Sequence, residues 1–74
     1  MYFDIYKSTT GYPQKYWWVA KGGNGETLCH SEMLSSKRAC IEAIRTVKDE
    51  ASYANVYDET GETAWDVDAR RIKV

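Results

Sequence analysis

The fold is decided by residues 15–30, which read KYWWVAKGGNGETLCH. The run YWWV places large side chains on both sides of one strand, which is typical of a strand with both faces covered. Residues 22–25 supply the glycines and the Asn-Gly pair that favour a hairpin turn. The sequence therefore predicts two antiparallel strands, over residues 15–21 and 26–30, joined at this turn.

Upstream of this hairpin lies a further strand pattern. Residues 2–7 read YFDIYK and alternate with the period of two that is characteristic of a strand. Residues 8–14 contain turn-forming side chains and the single proline of the chain, so we expect the chain to reverse there. The three strands then form an antiparallel meander.

Downstream of residue 35 the hydrophobic period changes to that of a helix. Either Ser35 or Ser36 is expected to cap this helix, which should end near Glu50. After it, residues 53–57 predict a fourth strand and residues 63–67 allow a fifth. The apolar face of the helix is formed by Cys40, Ala43, Ile44, Val47 and Ala51.

These elements define one α+β domain over residues 1–74: an antiparallel three-stranded meander, one helix, and one or two further strands. A chain of 8.5 kDa buries only about 60% of its surface on folding. A helix of about fifteen residues, ~22 Å long, cannot cover even one face of such a sheet. We therefore expect an intertwined or sheet-joined homodimer.

The composition disfavours several function classes. Ten basic and eleven acidic residues leave a net charge of −1, which gives little attraction for nucleic acid. No apolar run reaches the ~18 residues of a membrane span, so no membrane partner is expected. With only Cys29, Cys40 and one histidine, neither a disulfide framework nor a zinc site is expected. We expect a cytoplasmic protein without cofactor or metal.

The triplet Cys29-His30-Ser31 suggests a thiol–imidazole nucleophile. Neighbouring residues of a strand point to opposite faces, so Cys29 and His30 are not expected to meet. The carboxylates likewise show no spacing from which an acid–base pair can be inferred. We therefore expect no enzymatic activity and no catalytic residue.

The start of the helix offers a candidate anion site. Two hydroxyls and two cations stand beside the free amides of the first turn, an arrangement that can hold a phosphate or carboxylate. The alternative is a plain serine cap with solvated basic side chains, and the sequence leaves both open. The residues concerned are Ser35, Ser36, Lys37 and Arg38.

Aromatic side chains are unusually abundant: three tryptophans, six tyrosines and one phenylalanine. One small core cannot bury all of them, so another subunit or another protein is expected to cover the remainder. Stacking of nucleic-acid bases is the rival use, and the balanced charge disfavours it. The predicted partner-binding residues are Tyr6, Trp17, Val19, Tyr57 and Trp65.

Several short motifs occur in combination: WVAKGGNGE at residues 18–26, SE at 31–32, SSK at 35–37, and Ile44 with VK at 47–48. The sequence FDIYK at residues 3–7 precedes them. Together they resemble the YegP-like family of small uncharacterised bacterial domains. This resemblance implies a three-stranded antiparallel meander followed by a helix and usually another strand. It also implies either two tandem copies in one chain or one copy that pairs with itself.

The resemblance implies no activity, because the family has none established. Two features depart from the family pattern. The second strand of the family usually alternates tryptophan with basic residues, whereas this chain has Trp17 and Val19 at the alternating positions. Residues 58–74 extend beyond the family pattern. Both add apolar surface. We therefore expect a small non-enzymatic protein-interaction module that acts as a homodimer. The alternatives are a phage or mobile-element inhibitor of a host defence protein, and a binder of a phosphorylated small ligand.

Overall fold

The computed structural model describes residues 1–9, 11–62 and 71–72. Five strands, one α-helix and one short 3-10 helix follow each other in these ranges. In chain order they are β1 (Tyr2–Lys7), β2 (Tyr16–Lys21), β3 (Thr27–His30), α1 (Lys37–Glu50), the 3-10 helix (Ala51–Tyr53), β4 (Val56–Tyr57) and β5 (Arg71–Ile72). None of the described helices is long and apolar enough to cross a membrane.

The first three strands form one antiparallel sheet with β2 in the centre. Ile5 of β1 stands opposite Trp18, and the register between these two strands is regular over all six residues. Between β2 and β3 the register shifts between Ala20 and Lys21, so the ladder is irregular there. The α+β class and the meander predicted from the sequence are confirmed.

The hairpin turn differs from the one that the Asn-Gly pair favours. A two-residue type I′ turn needs positive φ at both central residues. Here Gly25 has a φ of +85°, whereas no described non-glycine residue has a positive φ. Gly23 and Asn24 are therefore the central residues, and the Gly25 N–H donates to the Gly22 carbonyl over 3.0 Å. Asn24 instead stabilises the loop by accepting from the Glu26 N–H at 3.1 Å.

Ser36 caps α1: its Oγ accepts a hydrogen bond from the Ala39 N–H at 3.0 Å. The helix packs against β2 and β1, and within the described residues it makes no such contact with β3. The resulting core is small, because Trp18, Ala20 and Cys40 are its buried members. Partly buried side chains packed against them are Phe3, Ile5, Tyr16, Leu34, Ala43, Ile44 and Val47.

The C-terminal part departs from the sequence prediction. Residues 51–53 continue α1 as a 3-10 helix, closed by a hydrogen bond from the Ala54 N–H to the Ala51 carbonyl at 3.2 Å. The predicted fourth strand is therefore wrong over residues 53–55, and β4 contains only two residues. β4 pairs with β5 in a separate two-stranded sheet. The predicted fifth strand, residues 63–67, lies outside the described residues.

Candidate functional site

The sheet surface opposite α1, which we call the open face, carries the candidate site. Directly opposed residues of an antiparallel pair share a face, so the register of the sheet defines the members of this surface. One row joins Tyr6 to Trp17, and a second joins Asp4 to Val19 and His30. A third row, Tyr2 with Lys21 and Thr27, completes the surface.

Two aromatic rings stack on the open face. The ring centroids of Tyr6 and Trp17 are 5.5 Å apart with an interplanar angle of 25°. Tyr6 remains 39% exposed, and Trp17 is half-buried. Both rings therefore keep part of their apolar surface accessible.

A small polar network surrounds the Tyr6 hydroxyl. It donates to Asp4 Oδ2 at 3.3 Å and accepts from Lys21 Nζ at 3.4 Å. The same Lys21 Nζ lies 3.4 Å from Asp4 Oδ2. The hydrogen bond that Lys21 donates to Tyr6, followed by the one that it donates to Asp4, raises the pKa of Lys21 above its ordinary value. Lys21 therefore stays charged and is already paired.

A groove of about 670 Å³ runs over this surface. Val19, which is 8% exposed, belongs to its floor, on the side of the sheet that faces away from α1. One wall of the groove is formed by the segment that follows β3. The residues that line the groove are Tyr6, Ser8, Trp17, Val19, Lys21, Thr27, His30, Ser31, Glu32 and Met33.

Residues 31–34 are held beside β2 by backbone hydrogen bonds. The Ser31 N–H donates to the Trp18 carbonyl at 2.9 Å, and the Trp18 N–H donates to Ser31 Oγ at 3.0 Å. Tyr16 and Leu34 exchange two further bonds, of 3.0 and 2.6 Å. This pairing fixes the wall that contains Met33.

The comparison with known proteins agrees with the motifs. The family described as "Domain of unknown function (DUF1508)" matches residues 14–58, more than half of the chain. The chain belongs to this family. It is also 36% identical over 62 residues to the UPF0339 protein Atu0232 of Agrobacterium fabrum, an alignment that covers 84% of this chain and 95% of that protein. No solved structure matches the chain.

Membership in DUF1508 confirms the resemblance to the YegP-like family. The matched segment spans β2, β3, α1 and β4, so it contains Trp17, Val19 and the wall of the groove. Tyr6 lies in β1, ahead of this segment. The open face is thus assembled from the DUF1508 segment and the strand that precedes it.

The structure brings three of the five predicted partner-binding residues together. Tyr6, Trp17 and Val19 share the open face, whereas Tyr57 lies in β4 of the separate sheet and Trp65 lies outside the described residues. Asp4 and Lys21 were not predicted as site residues, although strand alternation places Lys21 on the same side as Trp17. Met33 was not predicted either, because no sequence signal marks it.

At the start of α1, the DUF1508 chain has the geometry of a serine cap. The Ser36 hydroxyl is engaged with the Ala39 N–H, and Arg38 Nε lies 3.2 Å from Glu42 Oε1. Ser35 and Lys37 are exposed. These contacts use two of the four groups proposed to hold an anion, and anion binding stays a prediction.

Cys29 and His30 lie on opposite faces of β3. Cys29 stands opposite Ala20 on the helix side, and His30 stands opposite Val19 on the open face. Cys29 and Cys40 are free thiols, and burial raises the pKa of the Cys40 thiol. Within the described ranges, no three His, Cys, Asp or Glu side chains group so that they could hold a metal ion.

Proposed function

We propose that this DUF1508 protein acts by binding another protein through its open face, as a homodimer and without an enzymatic reaction. The observation that carries the proposal is the stacked Tyr6–Trp17 pair beside the apolar floor at Val19. Exposed aromatic rings that border a concave apolar patch are typical anchors of protein interfaces. The polar rim of the groove would orient the partner.

The charges of the groove favour a protein over a nucleic acid. Binding of single-stranded nucleic acid combines aromatic stacking with cations that neutralise phosphates. Among the lining residues that the structure describes, Lys21 is the one lysine or arginine, and Asp4 already pairs with it at 3.4 Å. Glu32 adds a negative charge at the rim.

Exposed apolar side chains favour a second copy as a partner. Leu28 is 59% exposed, Met33 41% and Ile41 39%. The core of a homodimer interface is richer in apolar area than the rest of a protein surface.

We further propose that the protein works in the cytoplasm. Both cysteines are free, and the more exposed of them, Cys29, would be prone to oxidation outside a reducing compartment.

Site-specific photo-crosslinking tests the proposed contact surface. A benzoylphenylalanine replaces Tyr6 on the open face in one variant and Tyr53, which is 84% exposed on the 3-10 helix, in the control. Both changes exchange one aromatic residue for another. In native cells, the Tyr6 variant should form defined adducts that the Tyr53 variant does not form.

If both variants capture the same proteins with the same yield, the open face is not the contact surface. The identity of the adduct then separates the types of partner. A host defence protein would favour the inhibitor function, and any other protein would favour a general interaction module.

A further inference from the structure

Trp17 of the open face has two residues opposite it on the side of the groove wall. The first and the last residue of the segment 31–34 pair with the two neighbours of Trp17 in β2. Glu32 and Met33 therefore both stand opposite Trp17, and both line the groove with it. Two residues against one is the arrangement of a β-bulge, which often re-aims a side chain beside a functional site.

The Glu32 carboxylate is the uncompensated charge of the groove. Glu32 is exposed, and among the described residues no cation or hydrogen-bond donor engages its carboxylate. The Asp4 carboxylate and the Lys21 ammonium, by contrast, pair with each other at 3.4 Å. A ligand in the groove therefore meets one unpaired negative charge close to an aromatic ring.

The Trp17 ring has no cation from its own chain. Tyr6 stacks on it with the centroids 5.5 Å apart, and no cation of the described residues lies over it. The neighbouring Tyr16 ring is different, because Lys7 Nζ lies 5.6 Å from its centroid. Tryptophan is the aromatic side chain that attracts a cation most strongly, and arginine is the most frequent partner. A planar guanidinium can stack on a ring while its N–H groups bind a carboxylate.

A second hollow continues the groove and favours a chain segment as the ligand. It has a volume of about 530 Å³ and shares Ser8 and Met33 with the groove. Its other described lining residues are Tyr12, Pro13 and Gln14, which carry no charge. Either hollow alone has the size of a small-molecule pocket, about 300–1,000 Å³. Two adjoining hollows, one acidic and one uncharged, fit an extended segment with a cation at one position.

We propose that the groove holds an extended segment of the partner protein whose arginine side chain stacks on Trp17 and pairs with Glu32. The proposal rests on protein binding through the open face, as proposed above, and specifies the chemistry of the partner. An acidic segment would meet Glu32 as a like charge. A purely apolar segment would remove water from the carboxylate without replacing its hydrogen bonds, which is costly.

NMR titration of the unmodified, labelled protein with capped peptides tests the proposed cation. Three peptides differ only in one central residue between alanines, which is arginine, citrulline or glutamate. Citrulline keeps the planar shape of arginine and removes its charge. We expect the arginine peptide to shift the indole N–H signal of Trp17 in a saturable manner. It should bind about fivefold more tightly than the citrulline peptide, and the glutamate peptide should bind most weakly.

Two glutamate variants test the assignment to Glu32. Glu32→Gln should lower the preference for arginine over citrulline about twofold or more, because it removes the ion pair. Glu50→Gln removes the same charge at the end of α1 and should leave the preference unchanged. Both side chains are exposed, so both variants should keep the fold, and their amide spectra check this.

The other outcomes overturn the proposal. Equal binding of the arginine and citrulline peptides, or tighter binding of the glutamate peptide, refutes the cation. A preference that Glu32→Gln leaves unchanged refutes the ion pair. If capped arginine alone binds as tightly as the peptide, the ligand is a small molecule and the extended segment is refuted. The absence of a saturable shift with any peptide at millimolar concentration also refutes the occupant.

These failures are distinct from a failure of the proposed function. Photo-crosslinking from Tyr6 reports the contact surface whatever the charge of the partner. Defined adducts at Tyr6 together with no preference for arginine would leave protein binding intact and refute the arginine alone. Equal capture from Tyr6 and Tyr53 would refute both.

Discussion

The adjacent tryptophans of β2 allow the two faces of the sheet to be perturbed separately. Trp18 lies on the helix side, is 9% exposed and meets Phe3 edge-on with the ring centroids 5.7 Å apart. Trp17 lies on the open face and stacks on Tyr6. Trp18→Ala therefore removes core packing, whereas Trp17→Ala removes the surface proposed to bind a partner.

The two substitutions should differ several-fold in the free energy of unfolding that they remove. Truncating a buried tryptophan to alanine costs about 3–5 kcal/mol. A domain of 74 residues has a free energy of unfolding of roughly 4–11 kcal/mol, so Trp18→Ala should remove from about a quarter to all of it. Trp17→Ala loses an aromatic pair worth about 0.5–1.5 kcal/mol beyond partial burial. It should keep the fold and weaken dimer or target binding by about 2 kcal/mol, which is roughly 30-fold.

Circular dichroism during urea denaturation measures the free energy of unfolding. Sedimentation and partner capture measure the strength of dimer and target binding. If Trp17→Ala unfolds the chain while Trp18→Ala is tolerated, the assignment of the sheet faces is reversed. If a folded Trp17→Ala variant changes neither assembly nor capture, the exposed rings do not carry the function.

Three further predictions concern the helix, the thiols and the C-terminal turn. Ser36→Ala should lower the free energy of unfolding by about 1 kcal/mol in urea titrations, whereas Ser35→Ala, which removes no observed cap, should not. A thiol reagent should modify Cys29 in the native protein and Cys40 only after denaturation; two fast native thiols would contradict the burial of Cys40. Hydrogen bonds from Thr60 hold the pKa of Asp58 below its ordinary value. The Asp58 carboxylate should therefore stabilise the fold at a pH above the ordinary pKa, and this stabilisation should disappear as the pH falls through the lowered pKa. Carboxyl NMR titration measures this, and a midpoint at or above the ordinary value would argue against the turn.

The regular elements were predictable because their hydrophobic periods agree with their final packing. The alternation in YFDIYK predicted β1 with its observed bounds, and the helical spacing predicted α1 to within one or two residues at its start. The C-terminal strand was not predictable to the same degree. Residues 51–55, directly after Glu50, contain neither glycine nor proline, so neither of these stop signals prevents residues 51–53 from continuing in a helical conformation.

The candidate site was predictable only in part, for a physical reason. Alternation on single strands places Trp17 and Val19 on one side, and pairing with β1 adds Tyr6. The wall at Ser31 and Met33 depends instead on hydrogen bonds between residues 31–34 and β2, which link positions far apart in the sequence. The hairpin turn at residues 22–25 was predictable because its glycines supply the positive φ that Gly25 adopts.

The proposed homodimer and the proposed binding face should be thermodynamically coupled where the bound protein contacts both copies. A protein that contacts residues of both copies binds the dimer more tightly than the single chain, and this difference must tighten the dimer by the same factor. The apparent dissociation constant of the dimer should therefore fall as the partner is added. A partner that binds within one copy alone would leave that constant unchanged, so this measurement distinguishes a joint face from two separate ones.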